Sequence, residues 1–198
     1  DAITLAYLWF CIEKEKSILI AGSTATGKTT FLNVLSTFIN PNSKIVSIED
    51  TAELKLSQAN WLPQVTRPGF GPSDYGKIDM ETLLKSALRQ RPDYLIVGEV
   101  RGAEANVLFQ GMATGHPGLS TLHADDVSAV IDRLTTPPIQ LPLSVLQNLD
   151  IIVFLEKIKR EGKFVRRVAK VVEVEDFDAK EKIQRPKEII KPYVFLQF

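Results

Sequence analysis

Eight consecutive residues, Gly22-Ser23-Thr24-Ala25-Thr26-Gly27-Lys28-Thr29, fit the pattern G-x-x-x-x-G-K-[ST]. An apolar run, Ser17 to Ala21, precedes them, and a helical run over Phe31 to Phe38 follows. This context constrains the chain more than any other feature, because such a loop has to leave a buried strand and enter a helix. Its glycines let backbone N–H groups converge on a β-phosphate, and the following helix aims its positive end at the same point. Lys28 then reaches the β and γ oxygens, while the Thr29 hydroxyl is a ligand for Mg2+. Gly22, Ser23, Thr24, Ala25, Thr26, Gly27, Lys28, Thr29 and the adjacent Thr30 are therefore the expected binding set for ATP with Mg2+.

The rest of the chain reads as an α/β alternation. Residues 2 to 12 form a helix, and Lys44 to Ile48 a second buried strand that ends at Glu49, Asp50 and Glu53. Thr66 to Gly76, rich in Gly and Pro, is an exposed loop with special backbone angles. Helices follow over Met80 to Gln90, Glu104 to Thr114, Ser128 to Leu134 and Leu143 to Asn148, with strands at Tyr94 to Val97 and Leu119 to Leu122. Ile151 to Ile158 and Phe164 to Glu175 make a hairpin turning near Gly162. With 198 residues, 44% of them hydrophobic, the chain can bury one full core and carry an appendage. Residues 1–176 are the expected domain and 177–198 an extension or tail. The apolar run Ala2 to Ile12 is about half of the roughly 20 residues that cross a bilayer, so no membrane span or signal segment is expected. The chain opens without Met and enters a motif almost at once, which reads as a piece of something longer. The lone Cys11 fits a reducing cytosol.

Ligands of a parallel sheet gather at the carboxyl ends of its strands. Glu99, Glu49, Asp50 and Glu53 meet that condition; Asp93, at the start of the strand that Glu99 follows, does not. Glu99 takes the role of polarising water on magnesium, as a metal-side acid with Thr29. Glu53 is the expected base that orients the attacking water. Among these acids an alternative stays open, in which Asp50 or Thr51 only caps a short helix. His116 and His123 are the chain's two histidines, both in Thr114 to His123. Without a nearby cysteine or His-x3-His spacing a zinc site is not expected, and both are read as γ-phosphate sensors or hydrogen-bond links, His123 above all. A structural role for His116 stands beside that. Arg67, Arg89, Arg91 and Arg101 are candidates to neutralise charge in the transition state, in a neighbour's site or their own.

Three further segments carry a family resemblance. Lys44 to Glu53 (KIVSIEDTAE) resembles the Asp box of secretion ATPases, Leu88 to Gly102 (LRQRPDYLIVGEVRG) their Walker B segment, and Ala113 to Ala124 their His box. With the phosphate loop these come in the family's order across residues 17 to 125. The family is that of the type II/IV secretion and type IV pilus ATPases, and the Arg67-Pro68-Gly69-Phe70-Gly71 loop is most similar to its archaeal branch, which serves the archaellum, pili and secretion. No tetracysteine module is present. Ala52 stands where the family usually carries Pro. The resemblance implies a RecA-like C-terminal ATPase domain, a homo-hexameric ring, and a separate N-terminal domain lying outside this chain. It implies a cytoplasmic motor at the inner face of the cell membrane, held there by a membrane platform protein. By the same matching, Glu53 is the Asp-box glutamate, Glu99 the Walker B acid, His116 and His123 the His-box pair, and Arg67 and Arg89 arginines that face nucleotide.

Charge weighs on the competing readings. Lys and Arg together number 24 and so do Asp and Glu, which removes the broad positive field of a nucleic-acid binder. No direct nucleic-acid partner is expected, although a conjugation-type ATPase or a RecA-like nucleic-acid-dependent ATPase remains the alternative. A switch that binds ATP without turnover is the third reading.

Overall fold

The computed structural model describes residues 2–72 and 74–174, together with the backbone of 187–190. Its elements in chain order are α1 (Ala2–Glu13), β1 (Ile18–Ala21), α2 (Lys28–Ser36), β2 (Ile45–Glu49), β3 (Trp61–Val65), α3 (Met80–Arg89) and β4 (Tyr94–Val97). There follow α4 (Glu104–Ala113), β5 (Gly118–Leu122), α5 (Val127–Thr135), α6 (Leu143–Leu146), β6 (Ile151–Arg160), β7 (Lys163–Glu173) and β8 (Lys187–Ile190). They build one sheet in the order β3-β2-β4-β5-β1-β6-β7-β8. Neighbours from β3 to β6 run parallel, and β6–β7 and β7–β8 are antiparallel. The expected α/β fold with a mostly parallel sheet and a late hairpin is the one observed.

Strand side chains alternate between faces, and a sheet covered on both sides therefore has apolar residues at every position. The strands β1, β2, β4 and β5 are buried throughout. Ile18, Ile20, Ile45, Ile96, Leu119 and Val153 point to one side, where Leu8 and Ile12 of α1 and Leu32 and Leu35 of α2 cover them. Leu19, Ala21, Val46, Ile48, Leu95, Val97 and Phe154 point to the other, against Leu84 of α3, Leu108 and Phe109 of α4 and Val130 of α5. At the amino edge, Asp150 accepts from the Ser17 amide at 2.8 Å and pairs with Lys16, so β1 and β6 start in register.

Two features differ from the expectations. A parallel edge strand, β3, lies beside β2 where no strand was expected; its Pro63 and its exposed side chains belong at a sheet edge, where a missing N–H costs no ladder bond. After β2 no helix forms over residues 51–58, so neither Asp50 nor Thr51 is a helix cap there. The carboxylate of Glu49 takes the orphan amides of that turn instead. The described residues of the 66–76 loop are mostly exposed, and its ends are drawn together: Arg67 pairs with Ile78 and Phe70 with Tyr75. Gly69 is required there, since a Cβ on it would stand 2.6 Å from the Asp74 Cα. The expected 177–198 tail lies outside the described residues except for β8. Among the described residues no helix is long and apolar enough to cross a membrane.

Candidate functional site

The Gly-rich loop leaves the carboxyl end of β1 and enters α2 at Gly27, which adopts the left-handed conformation (φ 92°) as the residue before the helix. The helix begins at Lys28, three residues earlier than its apolar spacing suggested, so Lys28, Thr29 and Thr30 form its first turn. Helices α3 and α5 are capped by Asp79 and Asp126, whose carboxylates accept from Thr82 N and Ala129 N at 2.8 Å. Helix α2 has no side-chain cap, and its first-turn amides face the loop as donors for an anion. Close packing sets the rest of the loop. A Cβ on Gly22 would stand 2.6 Å from the Leu155 carbonyl oxygen, and Thr26 Oγ1 donates to Ser23 O at 2.9 Å. Lys28 Nζ folds back over the loop and donates to Gly22 O at 2.9 Å and Ser23 O at 3.1 Å. Burial holds its pKa below the ordinary lysine value; Glu99 and Asp125 oppose that shift, and Arg101 and Arg133 add to it.

The four strand-end acids have separate environments. Glu49 is 4% exposed, and its Oε1 accepts from Glu53 N at 3.0 Å and Leu54 N at 3.1 Å. It is a structural acceptor that fixes the turn, and Gly98 leaves room for it, since a Cβ there would stand 3.3 Å from Glu49 Cγ. Glu53 is exposed. Its backbone is held against α2 by Asn33, which donates to Glu53 O at 3.3 Å and accepts from Lys55 N at 2.9 Å. Asp50 accepts from Thr66 Oγ1 at 3.2 Å. Glu99 is half-buried and ion-paired with Arg101. The loop carrying it is tied to β5, where Thr121 Oγ1 donates to Gly98 O at 2.7 Å and Thr121 O accepts from Val100 N at 2.9 Å.

The topology sorts the histidines and arginines by sheet edge. His123 follows the carboxyl end of β5, and its Nε2 stands 2.7 Å from Thr24 Oγ1 in the phosphate loop. His116 precedes β5 at the opposite edge, where Nδ1 lies 3.3 Å from Thr114 Oγ1. Arg67 and Arg101 line one cleft of about 420 Å3 with Asp50 and Glu99; Arg67 Nε donates to Gly76 O at 2.7 Å. Arg89 ends α3 and Arg91 follows it, both exposed at the amino edge. The structure thus gathers the loop residues, Glu53, Glu99, Arg101, Arg67 and His123 at the carboxyl edge, and leaves His116 and Arg89 at the other.

Sequence reading missed three contributors. Arg166 of β7 donates from Nε to Ala25 O at 2.8 Å, across 141 positions of chain, a contact without a local signal. Asn33 was open to detection, since it stands one turn beyond Thr29 on the same helix face. The third is the cleft of about 660 Å3 beside the loop, lined by Thr26, Gly27 and Thr30 and walled by Leu5, Phe31 and Val168. The Thr29 hydroxyl and the Glu99 carboxylate are the hard oxygen donors that Mg2+ takes, and Glu99 lies close enough to Lys28 to act on its charge, so this donor set suits the ion.

Comparison with known proteins identifies the family and the fold. Residues 4–175 match the family described as type II/IV secretion system protein. An uncharacterized protein of Methanocaldococcus jannaschii, MJ1287, is 53% identical over 176 residues, covering 89% of this chain and 65% of that protein. The type IV secretion system protein PtlH of Bordetella pertussis is 36% identical over 176 residues, covering 81% of this chain and 50% of that protein. Among solved structures, the VirB11 ATPase of the Brucella suis type IV secretion system superposes with a TM-score of 0.73 at 26% identity, over 87% of this chain and 52% of that one. The pilus retraction motor PilT with bound ADP shares the fold, with a TM-score of 0.59 at 23% identity over 83% of this chain and 48% of that one. The chain spans from about half to less than two thirds of the length of these relatives. By the match to the family over most of its length and its identity with these relatives, this chain belongs to the type II/IV secretion system protein family.

Proposed function

We propose that this chain is the ATP-hydrolysing domain of a secretion or pilus-assembly motor. The convergence of the phosphate loop, Glu99 and His123 at the carboxyl ends of β1, β4 and β5 carries the reading. On nucleotide binding Lys28 leaves the Gly22 and Ser23 carbonyls for the β and γ oxygens, and the open amides of α2 take the β-phosphate. The apolar cleft beside the loop takes the base. Thr29 and Glu99 would hold Mg2+, which supplies neutralisation of the triphosphate charge. Glu53, exposed and fixed through its backbone to α2, orients the attacking water. His123, bridged to Thr24, senses the γ-phosphate. Arg67 and Arg101 neutralise charge from the cleft they share with Glu99, and Arg89, at the far edge, serves a neighbouring subunit's nucleotide. His116 holds the turn into β5.

In this reading residues 1–176 form the ATPase domain of a longer protein whose N-terminal domain helps close the site. Six copies form a ring at the cytoplasmic face of the membrane, engaged with a platform protein, and turnover moves a filament subunit or secreted protein. Because PtlH and VirB11 are named as type IV secretion components, a conjugation or type IV secretion system fits the chain as well as an archaellum-like filament.

ATP hydrolysis measured against protein concentration, with and without Mg2+ and with DNA added in parallel, tests the proposal. Activity per subunit that rises with concentration and ignores DNA supports a shared-site ring. Strong DNA stimulation overturns the motor reading in favour of a nucleic-acid-dependent ATPase.

A further inference from the structure

From Leu155 on the β6–β7 hairpin outgrows the rest of the sheet: β1 ends opposite Phe154, and residues 155–168 of the two strands pair only with each other in the ladder, among the described residues. This free portion carries Lys157, Lys159, Arg160, Lys163, Arg166 and Arg167 against Glu156 and Glu161. Opposed residues of an antiparallel pair share a face, and successive residues alternate. Lys157 is opposite Arg166, whose guanidinium is held by Ala25 O, and Lys159 is opposite Phe164, so towards the tip this face presents Lys157, Lys159 and an aromatic ring. Arg160 is opposite Lys163 and Ile158 opposite Val165, beside the Glu156–Arg167 ion pair, so the other face is cationic as well. Two pairs of directly opposed cations weaken a ladder; a nearby anion reverses that cost. At the tip, Phe164 is 62% exposed and Val165 42%, one on each face, and Lys157 Nζ lies 4.1 Å from the Phe164 ring centroid.

We propose that this hairpin tip is a docking arm for an anionic bilayer surface, with Phe164 and Val165 in the headgroup layer and Lys159, Arg160 and Lys163 around them. A headgroup layer surrounds the tip, which suits cations on both faces and an aromatic side chain between them. The charge balance also favours this occupant. The whole chain carries no net charge, while residues 156–167 hold six cations and two acids, so the remainder is net acidic. Near a negative surface the molecule is therefore oriented tip first. This contact is direct, in addition to any tether through a protein partner.

Cosedimentation of the 198-residue chain with vesicles of phosphatidylcholine alone, and with about a third phosphatidylglycerol, tests the proposal. The wild type is expected to bind the anionic vesicles and to be released when salt rises from about 0.1 to about 0.5 M. With roughly fivefold in partitioning per cation near the surface, the triple variant K159E/R160E/K163E loses on the order of a hundredfold or more. Phe164→Ser loses several-fold and keeps the salt dependence. The salt titration needs no variant, and circular dichroism checks that both variants fold. Equal binding to neutral vesicles, no binding to either, or an unchanged triple variant overturns the proposal. Tighter capture by poly-glutamate or by a single-stranded oligonucleotide at the same salt also overturns it and assigns the tip to that partner.

Discussion

Thr24 Oγ1 and His123 Nε2 stand 2.7 Å apart, joining the crest of the phosphate loop to the carboxyl end of β5. The contact connects the loop to the strand that also holds Gly98 through Thr121, and in the proposed mechanism it puts the imidazole within reach of the γ-phosphate.

His123→Ala is expected to lower the turnover of ATP roughly ten- to a hundredfold, the loss of one contact to a charged group of about 1.5–3 kcal/mol. Thr24→Val weakens turnover by less. In the double variant the two effects do not add, because each removes the same link. Steady-state hydrolysis by the four proteins checks this.

Glu49 and Glu53 separate stability from chemistry. Glu49→Ala leaves the amides of Glu53 and the buried Leu54 without their acceptor, and urea unfolding is expected to show a loss of about 1–3 kcal/mol. Glu53→Gln sits in solvent and changes stability by less than about 0.5 kcal/mol. Its turnover falls on the order of a hundredfold or more, as for the loss of a general base.

Burial lowers the Lys28 pKa, so between that depressed value and the ordinary lysine value the unfolded chain holds a proton that the folded one has released. Stability contributed through this group therefore rises with pH across that window, and below it the penalty of the buried charge is fully present. Lys28→Met is expected to unfold at a temperature equal to or above that of the wild type, despite losing its bonds to Gly22 and Ser23. Bound phosphates lift the pKa again, so ATP binding takes up protons in the same window and weakens as pH rises through it. Calorimetry in buffers of different ionisation enthalpy measures the uptake.

Gly22→Ala brings a Cβ to within 2.6 Å of the Leu155 carbonyl oxygen, a backbone atom with little room to move. A thermal melt is expected to show destabilisation of about 1–3 kcal/mol, the cost of overpacking. Nucleotide binding fails along with it, because the loop and the base of the hairpin have to separate.

Much of this arrangement is legible in the residues themselves. The strand before Gly22, the loop and the helix after it are local, and the motif fixes their order; the first turn of α2 lies ahead of the apolar spacing, because Lys28, Thr29 and Thr30 are polar. His123 could be favoured over His116 because it ends a strand, and the topology puts the two at opposite edges of the sheet. What the sequence hid depends on distant contacts. Arg166 reads as one cation among several until β7 brings it to Ala25. β3 hides behind Pro63 and its exposed side chains, which an edge strand tolerates. Glu49, Asp50 and Glu53 look alike as letters, and only the burial of the first, with the amides of residues 53 and 54 upon it, separates a structural acid from an exposed one.

In the proposed mechanism one site binds ATP through Lys28 and turns it over through Glu99. Its most direct test is Mg-ATP binding and hydrolysis measured side by side on the wild type, Lys28→Ala and Glu99→Gln. Lys28→Ala is expected to lose binding by roughly a hundredfold or more, and Glu99→Gln to bind ATP still while its hydrolysis falls to background. Undiminished binding by Lys28→Ala, or undiminished hydrolysis by Glu99→Gln, would contradict it.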